Sequence, residues 1–355
     1  MPFLRNVTAG RGVPDERLAE VAGHYQAFGG RSPINEQCRS LLRALRTELD
    51  EHDLPLPLYW GNRNWHPMLT DAVAAMAADG VRCALVFATS AYSSYSTCRQ
   101  YREDLIAAAA VPNAPQLVKL RPFFNHPGFV DAVTDRVAST IAGLPAPLPP
   151  TTRLVFTAHS IPCAMAATSD YVAQLTEAAR LVVERLARPA GSGAGDASSG
   201  GGVRGSDGGG VRGSDGGDVG SGTGVLGPGC ELVFQSRSGP PQVPWLEPDI
   251  ADHLRAQADA GTTAVVVVPI GFVADNMEVV YDLDRQARAT ADDVGLTMVL
   301  TPTVGTHASF VSMIRELVCE RALDAPRRHV GLLPPRPDDC ETGCCPQPLQ
   351  GQRRV

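Results

Sequence analysis

Apolar residues recur along this chain in two rhythms. Short runs rich in β-branched residues, at 56–60, 83–88, 116–120, 153–157, 231–235, 264–269 and 297–300, predict strands. Between them, apolar positions three and four apart predict helices over 15–28, 35–51, 68–79, 96–110, 128–142, 171–186, 248–260, 277–294 and 307–322. Strands that alternate with helices in this way predict βαβ units, and so an α/β fold on parallel sheets. The run PAPLPP at 145–150 divides the chain, because proline fixes φ and removes a donor. This gives an N-terminal half over 1–150, a C-terminal half over 151–330 and a tail over 331–355. The N-terminal half opens on Phe3–Thr8 and a helix, not on the strand and glycine turn of a doubly wound unit, so its first strand is expected to be missing.

Composition changes this picture at one place. Of 35 glycines, 18 fall between Gly191 and Gly229, where VRGSDGG is repeated from Val203 and from Val211. The segment 189–229 has too little apolar content to offset the entropy of ordering, and is expected to be a flexible surface insertion. Over the whole chain an apolar fraction of 44% with 19% charged residues suits a buried core. A net charge of −7 without a dense Lys/Arg cluster argues against binding nucleic acid through its phosphates. The longest apolar runs are strand-sized, so no membrane span is expected, and the N-terminus lacks the apolar region of a signal peptide. A cytoplasmic protein with reduced thiols follows as the expectation.

Three groups of residues could carry chemistry. TAHSIP places His159 just beyond the carboxyl end of the strand at 153–157, where open α/β sheets bind ligands, and a neutral imidazole there can take a proton near pH 7. After the strand at 264–269, Glu278 and Asp282 stand four apart on one helix face, with Asp275 and Asp284 nearby. Carboxylates so placed repel unless a cation or proton joins them; a solvated acidic face is the plain alternative. The tail string CETGCC brings Cys340, Cys344 and Cys345 within six residues, which suits an iron–sulfur cluster or zinc with a fourth ligand from elsewhere. Loops rich in rings and hydroxyls, TSAYSSYS at 89–96, YWGNRNWHP at 59–67 and FQSRSGPPQVPWLEPD at 234–249 with Arg237 and Trp245, suit a flat aromatic ligand bearing carboxylates.

Taken in order, FLRNVTAGRGVP, HYQAFGGRSPIN, TSAYSSYS, TAHSIP, FQSRSGPPQVPWLEPDI and PIGFVADNMEVVYDLD resemble the ferrochelatase family, in particular its actinobacterial branch. The resemblance runs from Phe3 to about Cys345 and implies two Rossmann-like, chelatase-type domains with parallel sheets flanking a porphyrin cleft. It implies insertion of Fe²⁺, as substrate, into a porphyrin, with coproporphyrin III as the expected one in heme biosynthesis, and transient contact with other enzymes of that pathway. Carried over by position, His159 and Glu278 become the catalytic pair, Ser32 and Tyr95 porphyrin contacts, and Arg11 a propionate partner. Asp282, four residues from Glu278, joins the pair as a metal-side oxygen ligand, and Trp245, from its ring-bearing loop, is a further porphyrin contact. The pair is expected to come from opposite halves and to meet across a gap wide enough for a tetrapyrrole. The branch also implies a [2Fe–2S] cluster on Cys340, Cys344, Cys345 and a body cysteine: Cys163 first, then Cys319 and Cys98. Asn276 stands where the family usually has His. The rival readings are a sirohydrochlorin cobaltochelatase, which usually presents histidines where Glu278 stands, and a non-catalytic tetrapyrrole-binding or cluster-sensing protein.

Overall fold

The structure is a computed structural model that describes residues 2–8, 13–144, 149–188, 229–239 and 242–347. The Gly-rich insertion, Arg11 and most of the PAPLPP run lie outside the described residues.

The C-terminal half is built on four parallel strands in the order β4-β3-β5-β6: β3 (Arg153–His159), β4 (Cys230–Gln235), β5 (Ala264–Val268) and β6 (Thr297–Leu300). Side chains along a strand alternate between faces, and here both faces are apolar. Val155, Val233, Val265 and Val267 point to one side, where helix α9 (Ile250–Asp259), the π-helix Glu278–Ala287 and α10 (Arg288–Asp293) bury Leu254, Leu283 and Ala291 against them. Phe156, Ala158, Leu232 and Phe234 point to the other side, into a larger core shared with α8 (Tyr171–Leu186). A sheet covered on both faces needs near-continuous hydrophobic strands, which is why these runs showed no polar alternation.

Among the described residues the N-terminal half carries a two-stranded parallel sheet, β1 (Cys83–Val86) beside β2 (Gln116–Lys119). Helices α1 (Pro2–Val7), α2 (Asp15–Gln26), α3 (Ile34–Glu51) and α4 (Leu69–Ala78) precede it. A second π-helix, Tyr95–Arg99, continues into α5 (Gln100–Ala108), and α6 (Pro127–Ala142) follows β2. The strand expected at 56–60 does not form. Pro55 and Pro57 remove donors from that stretch, Leu56 is 41% exposed, and its neighbourhood holds only the isolated bridge Asn62–Met68.

The last helix, α11 (Ala308–Ala322), crosses back onto the N-terminal half and packs against α6 and α3. Gly128 permits the approach: a Cβ there would lie 2.6 Å from the Ser309 carbonyl oxygen. Phe310 joins Phe123, Phe129 and Phe156 in the larger core, so both halves share one interior. A buried ion pair locks the crossing. Arg121, 1% exposed, donates to both carboxylate oxygens of Glu320 at 2.7 and 2.9 Å. The tail then runs back over the molecule, held where Val330 N–H donates to the Asn125 carbonyl at 2.9 Å and Asn125 Nδ2 to the Leu333 carbonyl at 2.7 Å.

Candidate active site and thiol cluster

His159 is the last residue of β3, in register with Gln235 of β4, and Ser160 N–H donates to the Gln235 carbonyl at 2.7 Å. Tyr171 hydroxyl donates to the His159 carbonyl at 3.0 Å, so the backbone that carries the ring is held from both sides. The ring Nδ1 lies 2.5 Å from the Ser160 carbonyl. A carbonyl can only accept, so Nδ1 carries the hydrogen and the neutral ring presents its lone pair at Nε2. Nε2 lies 3.5 Å from Glu278 Oε1. Two acceptors at that separation repel unless a proton or cation joins them.

Glu278 reaches this position because of the turn between β5 and its π-helix. Gly271 sits so close to β3 that a Cβ would lie 2.7 Å from the Ala158 Cα, and its N–H donates to the Thr157 carbonyl at 3.1 Å. Asn276 then caps the π-helix: its Oδ1 accepts from Val279 N–H at 3.0 Å. The residue that departs from the family pattern therefore serves as a cap here. Widened i→i+5 turns are rare and frequent at functional sites. Among the described residues both π-helices carry residues singled out from the sequence, Tyr95 on one, Glu278 and Asp282 on the other.

Asp282 lies beside Glu278 and accepts a short hydrogen bond from the Ser236 hydroxyl. Burial pushes its carboxyl up to about 6, opposed by that hydrogen bond and reinforced by the Glu278 charge. Tyr25, on α2, faces the same carboxylates: burial first, then Glu278 and Asp282, push its phenol up to about 12. Next to it His24 stacks on Tyr281 at 3.8 Å, fixing α2 against the π-helix. The pair does not come from opposite halves across a gap, as the sequence led us to expect. Both groups rise from the C-terminal sheet and nearly touch, while the N-terminal half contributes Tyr25. Asp275 and Asp284 do not join them. Asp275 accepts from Gln37 and Thr303 at 2.9 and 2.8 Å, and Asp284 pairs with Arg288 at 2.6 Å.

The residues expected to touch a porphyrin are more dispersed. Ser32 Oγ accepts from Ile34 N–H at 3.3 Å at the start of α3. Tyr95 hydroxyl donates to Glu103 at 3.2 Å, and Arg99 joins that carboxylate at 3.0 Å to the Cys344 carbonyl at 3.1 Å. Trp245 bridges to Pro162, two residues beyond Ser160, with its indole packed over Gly239. The described contacts join neither Ser32 nor Tyr95 directly to His159.

Four thiols meet at the tail. Cys98, on the Tyr95–Arg99 π-helix, lines one cavity with Cys340, Cys344 and Cys345, and the Cys344 and Cys345 sulfurs lie 3.6 Å apart. Hydrogen bonding from Cys98 holds the Cys340 thiol below its ordinary range and pushes Cys98 up, while burial pushes Cys345 up to about 12. Arg336 donates to Cys344 sulfur at 3.6 Å, and Arg99, Arg102 and Lys119 line the adjoining cavity of about 470 Å³. Of the three body cysteines considered, Cys98 is the one that lines this cavity with the tail thiols, and Cys163 does not. Cys163 begins the short helix α7 (Cys163–Ala166), its N–H donates to the Pro244 carbonyl at 2.9 Å, and its side chain packs on the larger core. Among the described residues no group of three His, Cys, Asp or Glu is set to hold a single metal ion, and none of the helices is long and apolar enough to cross a membrane.

Comparison with known proteins places the chain among relatives. The chain is 49% identical to a coproporphyrin III ferrochelatase of Frankia alni over 365 aligned residues, covering 100% of this chain and 84% of that protein. It is 45% identical to a coproporphyrin III ferrochelatase of Streptomyces griseus, covering 98% and 88%. Among solved structures, SirB from Bacillus subtilis with Fe³⁺ aligns over 79% of this chain and 90% of its own, at 12% identity and a TM-score of 0.48. The ferrochelatase family pattern matches residues 1–322, from α1 through the helix that carries Phe310, and so the chain belongs to the ferrochelatase family.

Proposed function

We propose that the chain inserts Fe²⁺ into coproporphyrin III, with His159, Glu278 and Asp282 as the groups that receive protons and guide the metal. The observation that carries this reading is the 3.5 Å approach of His159 Nε2 to Glu278 Oε1 at the carboxyl end of a parallel sheet. Insertion replaces two pyrrole N–H protons by one divalent cation, so the site must accept two protons and tolerate one metal. A neutral imidazole with its lone pair at Nε2 can take a proton from a ring nitrogen placed over it. Asp282, with its carboxyl at about 6, can take up and release a proton near neutral pH. Oxygen ligands from Glu278 and Asp282 suit a divalent cation on its way in. Trp245, Tyr95, Ser32 and Arg11 would bound the ring and its carboxylates, in a molecule divided near residues 150 and 330. The tail would carry a [2Fe–2S] cluster on Cys98, Cys340, Cys344 and Cys345. Four thiols lining one cavity would supply the donor set, and the neighbouring guanidinium and ammonium groups would offset the negative charge that such a cluster brings. A cluster supplies electron storage when bound, and insertion itself moves no electrons. The reading includes a cytoplasmic setting and transient contact with the enzymes that supply and remove the porphyrin.

The test is anaerobic insertion by purified protein, followed by absorbance, with coproporphyrin III and protoporphyrin IX in parallel. Parent protein converts coproporphyrin III faster, and His159→Ala still binds it but loses most of the rate, on the order of 10²–10⁴-fold. A variant that keeps more than about a tenth of the parental rate refutes the role given to His159.

A further inference from the structure

We infer that Ser236 is a positioning residue for the insertion site, held in a disfavoured backbone conformation so that its hydroxyl fixes the Asp282 carboxylate beside Glu278. The inference rests on reading Asp282 as part of that site. Ser236 is the first residue after β4 and has φ of 63°. A side chain with a Cβ rarely adopts that left-handed region; glycine does so freely. Nothing about the turn alone requires serine there, since the next residues, Arg237 and Ser238, are exposed. The preceding residue is fixed three ways: Gln235 pairs with His159, its carbonyl accepts from Ser160 N–H at 2.7 Å, and its side chain accepts from Thr157 hydroxyl. Phe234 N–H donates to the Pro248 carbonyl at 2.9 Å. With the strand so anchored, the left-handed step at Ser236 turns the chain toward the π-helix and lays its hydroxyl on Asp282. A carboxylate at an i+4 position from Glu278 would otherwise be free to turn about its own χ angles and relieve the repulsion by swinging away. The Ser236 hydroxyl denies it that escape. One residue thereby ties the end of β4, the strand paired with the His159 strand, to the helix that carries the carboxylates.

Three substitutions separate this role from a structural one. Ser236→Gly removes the hydroxyl and the backbone strain together, Ser236→Ala removes the hydroxyl alone, and Ser236→Asn restores a donor in a residue that tolerates left-handed backbone. Melting temperature, porphyrin binding by fluorescence, and insertion kinetics against Fe²⁺ concentration are measured for each, with Asp282→Asn alongside. Ser236→Gly is expected to melt at or above the parental temperature and to bind porphyrin as the parent does. Its insertion rate falls about 10- to 100-fold, with KM for Fe²⁺ raised. Ser236→Asn recovers part of that loss. A Ser236→Gly protein within twofold of the parental rate, beside an impaired Asp282→Asn, overturns the role of Ser236 and leaves the site reading standing. A fully active Asp282→Asn overturns both.

Discussion

Replacing Asp282 by Asn should stabilise the protein while slowing it, and the size of the gain should depend on pH in a defined way. A carboxyl held at about 6 against its ordinary 3.8 corresponds to about 3 kcal/mol of preference for the neutral form. The sign follows from proton counts. The folded pKa is the higher one, so between pH 4 and 6 the folded state binds more protons than the unfolded state, and stability falls as pH rises through that window. Below about pH 4 the penalty is absent; above about 6 it is complete. Asn has the shape of the protonated carboxyl, still accepts from Ser236 and does not titrate. The stability of Asp282→Asn minus that of the parent should therefore rise from near zero at pH 4 to a ceiling of about 3 kcal/mol at pH 7 and stay flat beyond. Asp282 is half-buried, and solvent screening lowers the ceiling. Urea unfolding of metal-free parent and variant at pH 4.5, 6 and 8 measures the difference directly. A gap that does not change with pH, or one that narrows as pH rises, would refute the account of Asp282 as a carboxylate desolvated beside Glu278.

Three other expectations concern the frame and the tail. Arg121→Leu strips Glu320, itself 5% exposed, of a partner it meets twice; urea melts should show a loss of about 3–5 kcal/mol, and a loss under 1 kcal/mol would mean that the pair does not hold the last helix in place. Gly271→Ala drives a methyl group to 2.7 Å from the Ala158 backbone, so insertion by this variant should fall along with its melting temperature; an unchanged rate would show that the turn does not set the Glu278 position. Cys98→Ser, reconstituted with iron and sulfide without oxygen, should lack the visible absorption that Cys163→Ser retains; the reverse pattern would return the fourth ligand to Cys163.

The strands and helices of the C-terminal half were legible because burial on both faces of a parallel sheet leaves unbroken runs such as Ala264–Val268. The stretch 56–60 misled for a local reason: Leu56, Leu58 and Tyr59 have strand-forming character, but two prolines remove the donors a ladder needs. Both π-helices hid inside correctly placed helical patterns, since apolar spacing does not distinguish closure at four residues from closure at five. His159 and Glu278 could be paired from short strings. That they nearly touch depends on Gly271 and the register of β3 with β5, which no string encodes. Tyr25 and Ser236 both stood in motifs already noted, HYQAFGG and FQSRSG, but their importance comes from a carboxylate over two hundred residues from one and about fifty from the other. Cys163 was favoured for its nearness in sequence to His159. The tail reaches Cys98 instead because contacts at Arg121, Asn125 and Arg336 fix its route across the surface.

The return of the final helix to the first half has a bearing on how this protein is made. Helices α3 and α6 emerge from the ribosome long before residues 308–322, and until those residues arrive the apolar surfaces that receive Phe310 and Ile314 have no cover. The amino-terminal half therefore cannot complete its interior until residues 308–322 have been made, and the joining of the two halves waits on them. Nascent chains shorter than about three hundred residues should consequently be the ones that chaperones hold.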